Sequence, residues 1–142
     1  MRTSDLPVVQ YLDEQTMELR HPEDNAMVVS AVLHALAELG FSETRRFLLA
    51  SAVSELSTNI IKYAGRGSMT LRTASKDGRV GFEAVAKDDG PGIPDVELAL
   101  ADNVSTGGGL GMGLSSVRRI ADEFFIESRP GAGVEIVIRK WM

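Results

Sequence analysis

The sequence predicts an α+β fold, a two-layer sandwich in which helices cover one face of a mixed, largely antiparallel sheet. Two segments before residue 66 repeat apolar residues with helical spacing, whereas the later segments alternate with the period of strands. Turn signals, Asp77-Gly78 and residues 130–133, separate these strands in pairs, as in hairpins. The predicted order is strand, helix, helix, hairpin, glycine-rich loop, helix and hairpin.

The helical half of the chain has recognisable starts and stops. Apolar spacing predicts helices over residues 22–40 and 43–65, each ending on a glycine, and Ser42 can cap the second helix. A short strand is expected over 16–20, where apolar and polar residues alternate. Residues 1–15 carry weak signals and are expected to form a loosely held extension.

The second half of the chain predicts the rest of the sheet. Strands are expected over residues 68–75, 79–87, 124–129 and 134–142. A short helix over 95–101 and a third main helix over 113–124 should lie between the two hairpins.

Composition limits the class of protein. The 142 residues fit one domain, 1–142, with a core that needs no disulfides. A net charge of −5 argues against nucleic-acid partners, which require clustered Lys and Arg. The chain has no cysteine and two histidines, so thiolate chemistry is excluded and a histidine-rich metal site is disfavoured.

No signal peptide is evident, and no run approaches the roughly 18 apolar residues of a membrane span. We therefore expect a soluble, cytoplasmic protein without membrane contacts.

The second predicted helix carries a candidate catalytic pair. Glu55 and Asn59 are four residues apart, so their side chains share one helix face beside the apolar stripe. Lys62 extends this region by one turn. From the helix alone, a solvated face is the favoured interpretation, since Glu and Lys on amphipathic helices usually face solvent, but Asn is a mediocre helix former whose presence in mid-helix needs another reason.

A glycine-rich run, "STGGGLGMGL", leads into the third predicted helix. Free backbone N–H groups beside a helix N-terminus suit a phosphate group. A flexible linker is the alternative, although apolar residues alternate with the glycines here. The run matches neither G-x-x-x-x-G-K-[ST] nor G-x-G-x-x-G, so P-loop, Rossmann and eukaryotic-kinase loops are excluded.

A third motif, "DDGPG", follows the strand that ends at Asp88. The carboxylate of Asp88 could accept a hydrogen bond from an exocyclic amine such as that of adenine, and the glycines would let a flat ring approach the backbone. By itself, the motif is equally compatible with an ordinary turn.

Taken together, the three motifs resemble the N, G1 and G2 boxes of the GHKL ATPases, the superfamily of gyrase, Hsp90, MutL and histidine-kinase ATP domains. The matching residues are Glu55-x-x-x-Asn59, Asp88-x-Gly90-x-Gly92 and Gly109-x-Gly111-x-Gly113. The likeness extends over about residues 16–142 and implies the GHKL, or Bergerat, fold. Within the superfamily, this short chain is most similar to the switch-protein and anti-sigma-factor serine kinases.

The resemblance also implies roles for individual residues. Glu55 would be the general base, Asn59 would coordinate Mg²⁺ on the ATP phosphates, and Asp88 would bind the adenine amine. Val134 stands where relatives often have a threonine beside an adenine-bound water, which puts that water-mediated contact in question. The full set of implied ATP-binding residues is Asn59, Lys62, Asp88, Gly90, Gly92, Ile93, Thr106, Gly107, Gly108, Gly109, Leu110, Gly111, Met112, Gly113 and Leu114.

The same resemblance implies a protein substrate. The chain would phosphorylate Ser or Thr of a STAS-domain antagonist and, once released, activate a downstream PP2C-type phosphatase. A nucleotide-controlled binding module that sequesters a partner is the alternative. A detached histidine-kinase domain is disfavoured by Glu55 and by the lack of dimerisation helices and of a long lid. The sequence leaves the oligomeric state open.

Overall fold

A computed structural model of the protein describes residues 2–101 and 113–142. Five strands form one sheet in the order β1-β2-β3-β5-β4, and each neighbouring pair is antiparallel. The predicted α+β class is therefore confirmed, with an antiparallel sheet. The strands are β1 Gln10–Leu19, β2 Gly67–Lys76, β3 Arg79–Asp88, β4 Glu123–Arg129 and β5 Gly133–Trp141, and the helices are α1 Asp24–Leu39, α2 Glu43–Asn59, α3 Val96–Leu100 and α4 Leu114–Ile120.

The helices cover one face of the sheet, where the main core forms. Val28, Val32 and Leu36 lie one turn apart on α1 and are fully buried. They belong to one apolar cluster with the buried residues of α2 and with alternate residues of β3, including Phe82 and Ala84. In the described ranges, no helix is both long and apolar enough to cross a membrane.

A π-helical turn, Ile60–Ala64, continues α2 beyond Asn59. The turn closes with a hydrogen bond from the Gly65 N–H to the Ile60 carbonyl (3.0 Å). Two residues later, Gly67 starts β2 and pairs with Asp88 at the end of β3. The connection therefore brings the end of α2 to the end of β3, and π-helical turns are frequent at functional sites.

The opposite face of the sheet carries a row of alternating charges, one residue from each strand. The cross-strand order is Glu14, Arg72, Glu83, Arg139 and Glu123, with N···O distances of 3.0, 3.1, 2.8 and 3.3 Å between successive members. Glu83 and Arg139 are 0% and 2% exposed. Burial alone would lower the pKa of Arg139, but its bonds to Glu83 and Tyr11 outweigh burial and raise that pKa. We call these five residues the charge row.

The N-terminal segment lies on this opposite face as well. The Arg139 guanidinium donates a hydrogen bond to the Pro7 carbonyl (2.9 Å), and the Thr3 hydroxyl donates one to the Glu127 carboxylate (2.6 Å). Because that carboxylate accepts this bond and lies beside Arg129, the pKa of Glu127 is lowered.

Two predicted boundaries are wrong. The first strand begins at Gln10, so residues 10–15, which the sequence assigns to a loose extension, pair with β2. This edge strand is exposed on both faces up to Thr16, and a bulge between Tyr11 and Asp13 breaks its alternation, so no periodic signal could appear.

The third main helix ends at Ile120, four residues before its predicted end at Phe124. The Asp122 carboxylate accepts hydrogen bonds from the Trp141 N–H (2.8 Å) and the Lys140 ammonium (3.1 Å). These bonds hold the chain against β5, and Phe124 becomes part of β4. Tertiary contacts here outweigh local helical periodicity.

Candidate nucleotide site

A cavity of about 360 Å³ opens at the end of the sheet where β3 stops. The C-terminal end of α2 and its π-helical turn form one wall, and the loop after β3 forms another. Most of its lining is apolar, with polar side chains at a few points, as is common in small-molecule sites. The lining residues are Leu56, Asn59, Ile60, Tyr63, Ala64, Ala86, Asp88, Pro91, Gly92, Ile93, Pro94, Ala99, Gly113, Leu114, Val134 and Ile136.

Asp88 is held in this cavity by backbone groups. Its Oδ1 accepts hydrogen bonds from the Gly90 N–H (2.8 Å) and from the Val134 N–H (3.3 Å). One donor comes from the loop that follows and the other from β5, so the carboxylate is fixed from two sides. Both bonds end on the same oxygen, so Oδ2 can still accept a hydrogen bond from a ligand.

The loop after β3 is fastened to the β4–β5 hairpin. The Ser128 hydroxyl accepts a hydrogen bond from the Ile93 N–H (2.6 Å) and donates one to the Ile93 carbonyl (3.1 Å). The Gly131 N–H donates a third bond to the Pro91 carbonyl (2.8 Å). The loop ends where Asp95 caps α3 by accepting a bond from the Leu98 N–H (3.0 Å).

Two glycines of this loop are required by its geometry. A Cβ on Gly90 would lie 2.6 Å from the Ala64 Cβ, so only glycine lets the loop pass so close to the π-helical turn. Gly92 has a φ of +82°, and a Cβ there would lie 2.8 Å from the Arg129 carbonyl oxygen. The loop is thus shaped by its packing as much as by any ligand.

Asn59 and Glu55 stand in different positions relative to the cavity. Asn59 is part of the wall, whereas Glu55, one turn earlier on α2, is half-buried and lies outside it. Among the described residues, neither side chain is engaged in a hydrogen bond or ion pair with another side chain or with the backbone. Both polar groups therefore remain available to a ligand or a partner.

The structure brings most of the describable predicted residues to this one cavity. Those on its wall are Asn59, Asp88, Gly92, Ile93, Gly113 and Leu114. Glu55, Lys62 and Gly90 lie next to wall residues but not on the wall itself. The predicted residues Thr106 to Met112 lie outside the described residues.

Sequence reasoning missed part of the apolar wall. Ala86 and Ile136 cannot be distinguished in the sequence from ordinary core positions of strands, because burial in a core and burial against a ligand select the same residue types. The Val134 side chain cannot donate a hydrogen bond to a water in the cavity.

Tyr63 also lines the cavity, although it is not among the predicted ATP-binding residues. It is 49% exposed at the cavity rim, and the Lys62 ammonium lies 5.2 Å from the centre of its ring. An aromatic residue four positions after Asn59 is the sequence signal that points to it.

The donor set suits a purine nucleotide with a divalent cation. The apolar walls suit a flat ring, and the fixed Asp88 carboxylate suits an exocyclic amine. The Asn59 amide supplies an oxygen of the kind that Mg²⁺ binds. No group of three or more His, Asp or Glu side chains in residues 2–101 and 113–142 is placed so that it could hold a metal ion, so phosphate oxygens and water would complete the shell of such a cation.

Comparison with known proteins agrees with this geometry. The model of the histidine kinase-, DNA gyrase B- and HSP90-like ATPase family matches residues 44–141. The chain therefore belongs to this family, the GHKL ATPases. Serine/threonine-protein kinase RsbT of Bacillus subtilis is 43% identical over 105 residues, covering 74% of this chain and 79% of the relative. This likeness assigns the chain to the family of RsbT-type kinases and confirms the predicted enzyme class, a serine/threonine-protein kinase.

A second relative belongs to the same superfamily. The anti-sigma F factor of Caldanaerobacter subterraneus subsp. tengcongensis is 34% identical over 98 residues, covering 65% of this chain and 67% of the relative. Both relatives fit the predicted group of switch-protein and anti-sigma-factor kinases.

Solved structures share the fold at low sequence identity. A structure of the RsbU and RsbW domains of Rv1364c from Mycobacterium tuberculosis superposes on 89% of this chain with a TM-score of 0.58 and 15% identity. This chain spans 32% of that longer protein. The catalytic domain of the histidine kinase ThkA, with 18% identity, gives a TM-score of 0.50 and is covered to 95%. These likenesses show the fold alone.

Proposed function

We propose that this chain is a partner-switching kinase that transfers the γ-phosphate of ATP to Ser or Thr of a STAS-domain antagonist protein. The observation that carries the proposal is the placing of Asn59 on the cavity wall with the unengaged carboxylate of Glu55 one turn outside it. When released from the antagonist, the chain would activate a downstream PP2C-type phosphatase in the cytoplasm.

The nucleotide would enter with its adenine toward Asp88. Oδ2 of Asp88 accepts a hydrogen bond from the exocyclic amine while Oδ1 stays bonded to the Gly90 and Val134 N–H groups. Asn59 would hold Mg²⁺, which neutralises charge on the phosphates when bound. The proposed phosphate-binding role of Gly107 to Gly113 depends on their glycine-rich sequence and on the helix N-terminus at Leu114 that follows them.

Glu55 would act on the protein substrate. Its carboxylate accepts the proton of the acceptor hydroxyl while that oxygen bonds to the γ-phosphorus, and the bond to the β–γ bridging oxygen breaks so that ADP leaves. Since Glu55 lies outside the cavity wall, the hydroxyl has to approach from the outer surface of α2. A hydroxyl carried by another protein meets this requirement.

A transfer assay tests the proposal. The purified chain is mixed with [γ-³²P]ATP, Mg²⁺ and the recombinant STAS-domain protein from the same genome. We expect label on Ser or Thr of the STAS-domain protein, read by phosphoamino-acid analysis. Stable binding of the two proteins without label would overturn the kinase assignment.

That same outcome would favour the alternative, a nucleotide-controlled module that sequesters a partner. The similarity to an anti-sigma F factor is the observation in favour of this second function. Such a module would bind its partner with an affinity that depends on whether ATP or ADP fills the cavity, a dependence that calorimetry with each nucleotide would measure.

A further inference from the structure

The solvent-facing side of α2 that includes Leu48 and Glu55, called here its outer stripe, carries two exposed apolar side chains. Phe47 is 56% exposed and Leu48 is 47% exposed, although both lie in the middle of a regular helix. Leu48 precedes Glu55 by seven residues, which is two helical turns, so the two residues lie on nearly the same line along the helix. The rise of 1.5 Å per residue places them about 10 Å apart.

Helix α4 lies alongside α2 in the opposite direction. At one end, Leu114 shares the cavity wall with Leu56. At the other end, Trp141 connects α2 to the segment that follows α4, because its carbonyl accepts a hydrogen bond from Arg45 (2.8 Å) and its N–H donates one to Asp122 (2.8 Å), two residues beyond the end of α4.

The last turn of α4 therefore points toward the N-terminal half of α2. That turn carries two cations, Arg118 and Arg119, and both are exposed. The apolar pair on α2 thus has basic side chains on the neighbouring helix.

We propose that Phe47 and Leu48 anchor the docking surface for the acceptor protein and that Arg118 and Arg119 form its basic rim. This inference rests on the proposed kinase function, since a folded acceptor that brings a hydroxyl to Glu55 has to cover the outer stripe of α2. The occupant is a folded protein whose acceptor Ser or Thr lies about 10 Å from an apolar patch with an acidic edge. Buried aromatic and aliphatic anchors would supply most of its affinity.

Steady-state kinetics with the recombinant STAS-domain protein test this surface. In the double variant Phe47→Ser with Leu48→Ser, we expect the KM for that protein to rise about tenfold or more, since two anchors are lost. The kcat and the affinity for ATP should stay within about twofold of the wild type, because neither residue touches the cavity. Val8→Ser is the matched control, since Val8 is 90% exposed in the N-terminal segment on the opposite face.

The salt dependence of KM tests the basic rim separately. In Arg118→Glu, the KM should rise several-fold at low ionic strength and approach the wild-type value in high salt, because an exposed charge acts over about one Debye length. An unchanged KM at low salt would remove Arg118 from the surface. Should the double variant lose its fold, as judged by circular dichroism, this salt dependence decides the proposal.

The outcomes separate the docking surface from the kinase function. If the wild type labels the acceptor and the double variant does so with an unchanged KM, the docking surface is wrong and the kinase function stands. If the wild type transfers no label, the proposed function fails and the docking surface fails with it.

Discussion

Glu83 and Glu55 are carboxylates on opposite sides of the molecule, and their surroundings differ sharply. Glu83, in the charge row, is fully buried and accepts hydrogen bonds from the Tyr11 hydroxyl (2.9 Å), Arg72 (3.1 Å) and Arg139 (2.8 Å). Glu55, beside the cavity, is half-buried and has no hydrogen-bond or ion-pair partner within the described residues.

The difference separates a charge whose pairing the fold requires from a charge that has no partner among the described residues. A buried charge has to be paired, because desolvation would otherwise cost several kcal/mol, and Glu83 meets this requirement with hydrogen bonds from three side chains. A half-exposed carboxylate can keep its lone pairs available at a small cost in free energy. Such a group, next to a cavity with few polar contacts, is free to act on a substrate.

The largest expected effect concerns Glu55, the carboxylate that has no partner among the described residues. Glu55→Gln should lower the rate of phosphoryl transfer by about 10²- to 10⁴-fold, because the amide cannot accept the proton of the hydroxyl. ATP affinity and the free energy of unfolding should stay close to wild type. Labelling rates and calorimetry measure these quantities, and Glu43→Gln at the start of the same helix is the control. Transfer at a near wild-type rate would remove Glu55 from the role of base.

A substitution of Glu83, the paired carboxylate, should change the stability of the fold. Glu83→Ala should lower the free energy of unfolding by about 3–5 kcal/mol, because Arg139 is left as a buried cation without its main partner. Urea denaturation measures this loss. Glu14→Ala, at the exposed end of the same charge row, should cost no more than about 1 kcal/mol. Equal losses in the two variants would contradict the distinction between buried and exposed members of the row.

Asp88 lines the cavity, although its carboxylate, like that of Glu83, already accepts hydrogen bonds within the protein. Asp88→Asn should weaken ATP binding about 10- to 100-fold, as expected for a lost hydrogen bond to a charged group. Calorimetry on the folded variant measures this change, with Asp89→Asn as the matched neighbour. If both variants bind ATP like the wild type, adenine recognition lies elsewhere.

The smallest expected effect concerns the hydrogen bonds between the loop after β3 and the β4–β5 hairpin. Ser128→Ala removes both hydrogen bonds to Ile93 and should cost about 1 kcal/mol of stability. ATP affinity should fall by a few-fold, because the loop carries part of the cavity wall. Ser75→Ala, on β2, should alter neither quantity measurably. A variant of Ser128 with unchanged stability would show that the remaining contacts hold the loop alone.

Much of the fold could be predicted from the sequence because its signals are local. Asp77 and Gly78 adopt positive φ values of 52° and 77°, the conformation that their turn signal predicts. Ser42 accepts a hydrogen bond from the Arg45 N–H as the cap of α2. In each case, the residues that carry the signal are also the residues that make the structure.

The candidate site was predictable mainly in its polar residues and glycines. Asn59, Asp88 and the glycines stand out because each costs free energy in a helix, strand or loop unless something requires it. The apolar wall has no such signature, and the Ser128 contact with Ile93 joins residues 35 positions apart. No local pattern could have announced either feature.

The sequence by itself determined the layers of the fold, the hairpin turns and the three motifs that resemble the GHKL boxes. Only the tertiary structure decided that Glu55 stands outside the cavity and that five charged residues on five strands form one row. The physical reason is distance along the chain. Periodicity, capping and turn preferences act within a few residues, whereas pairing of charges and closure of a cavity depend on where the assembled strands and helices lie.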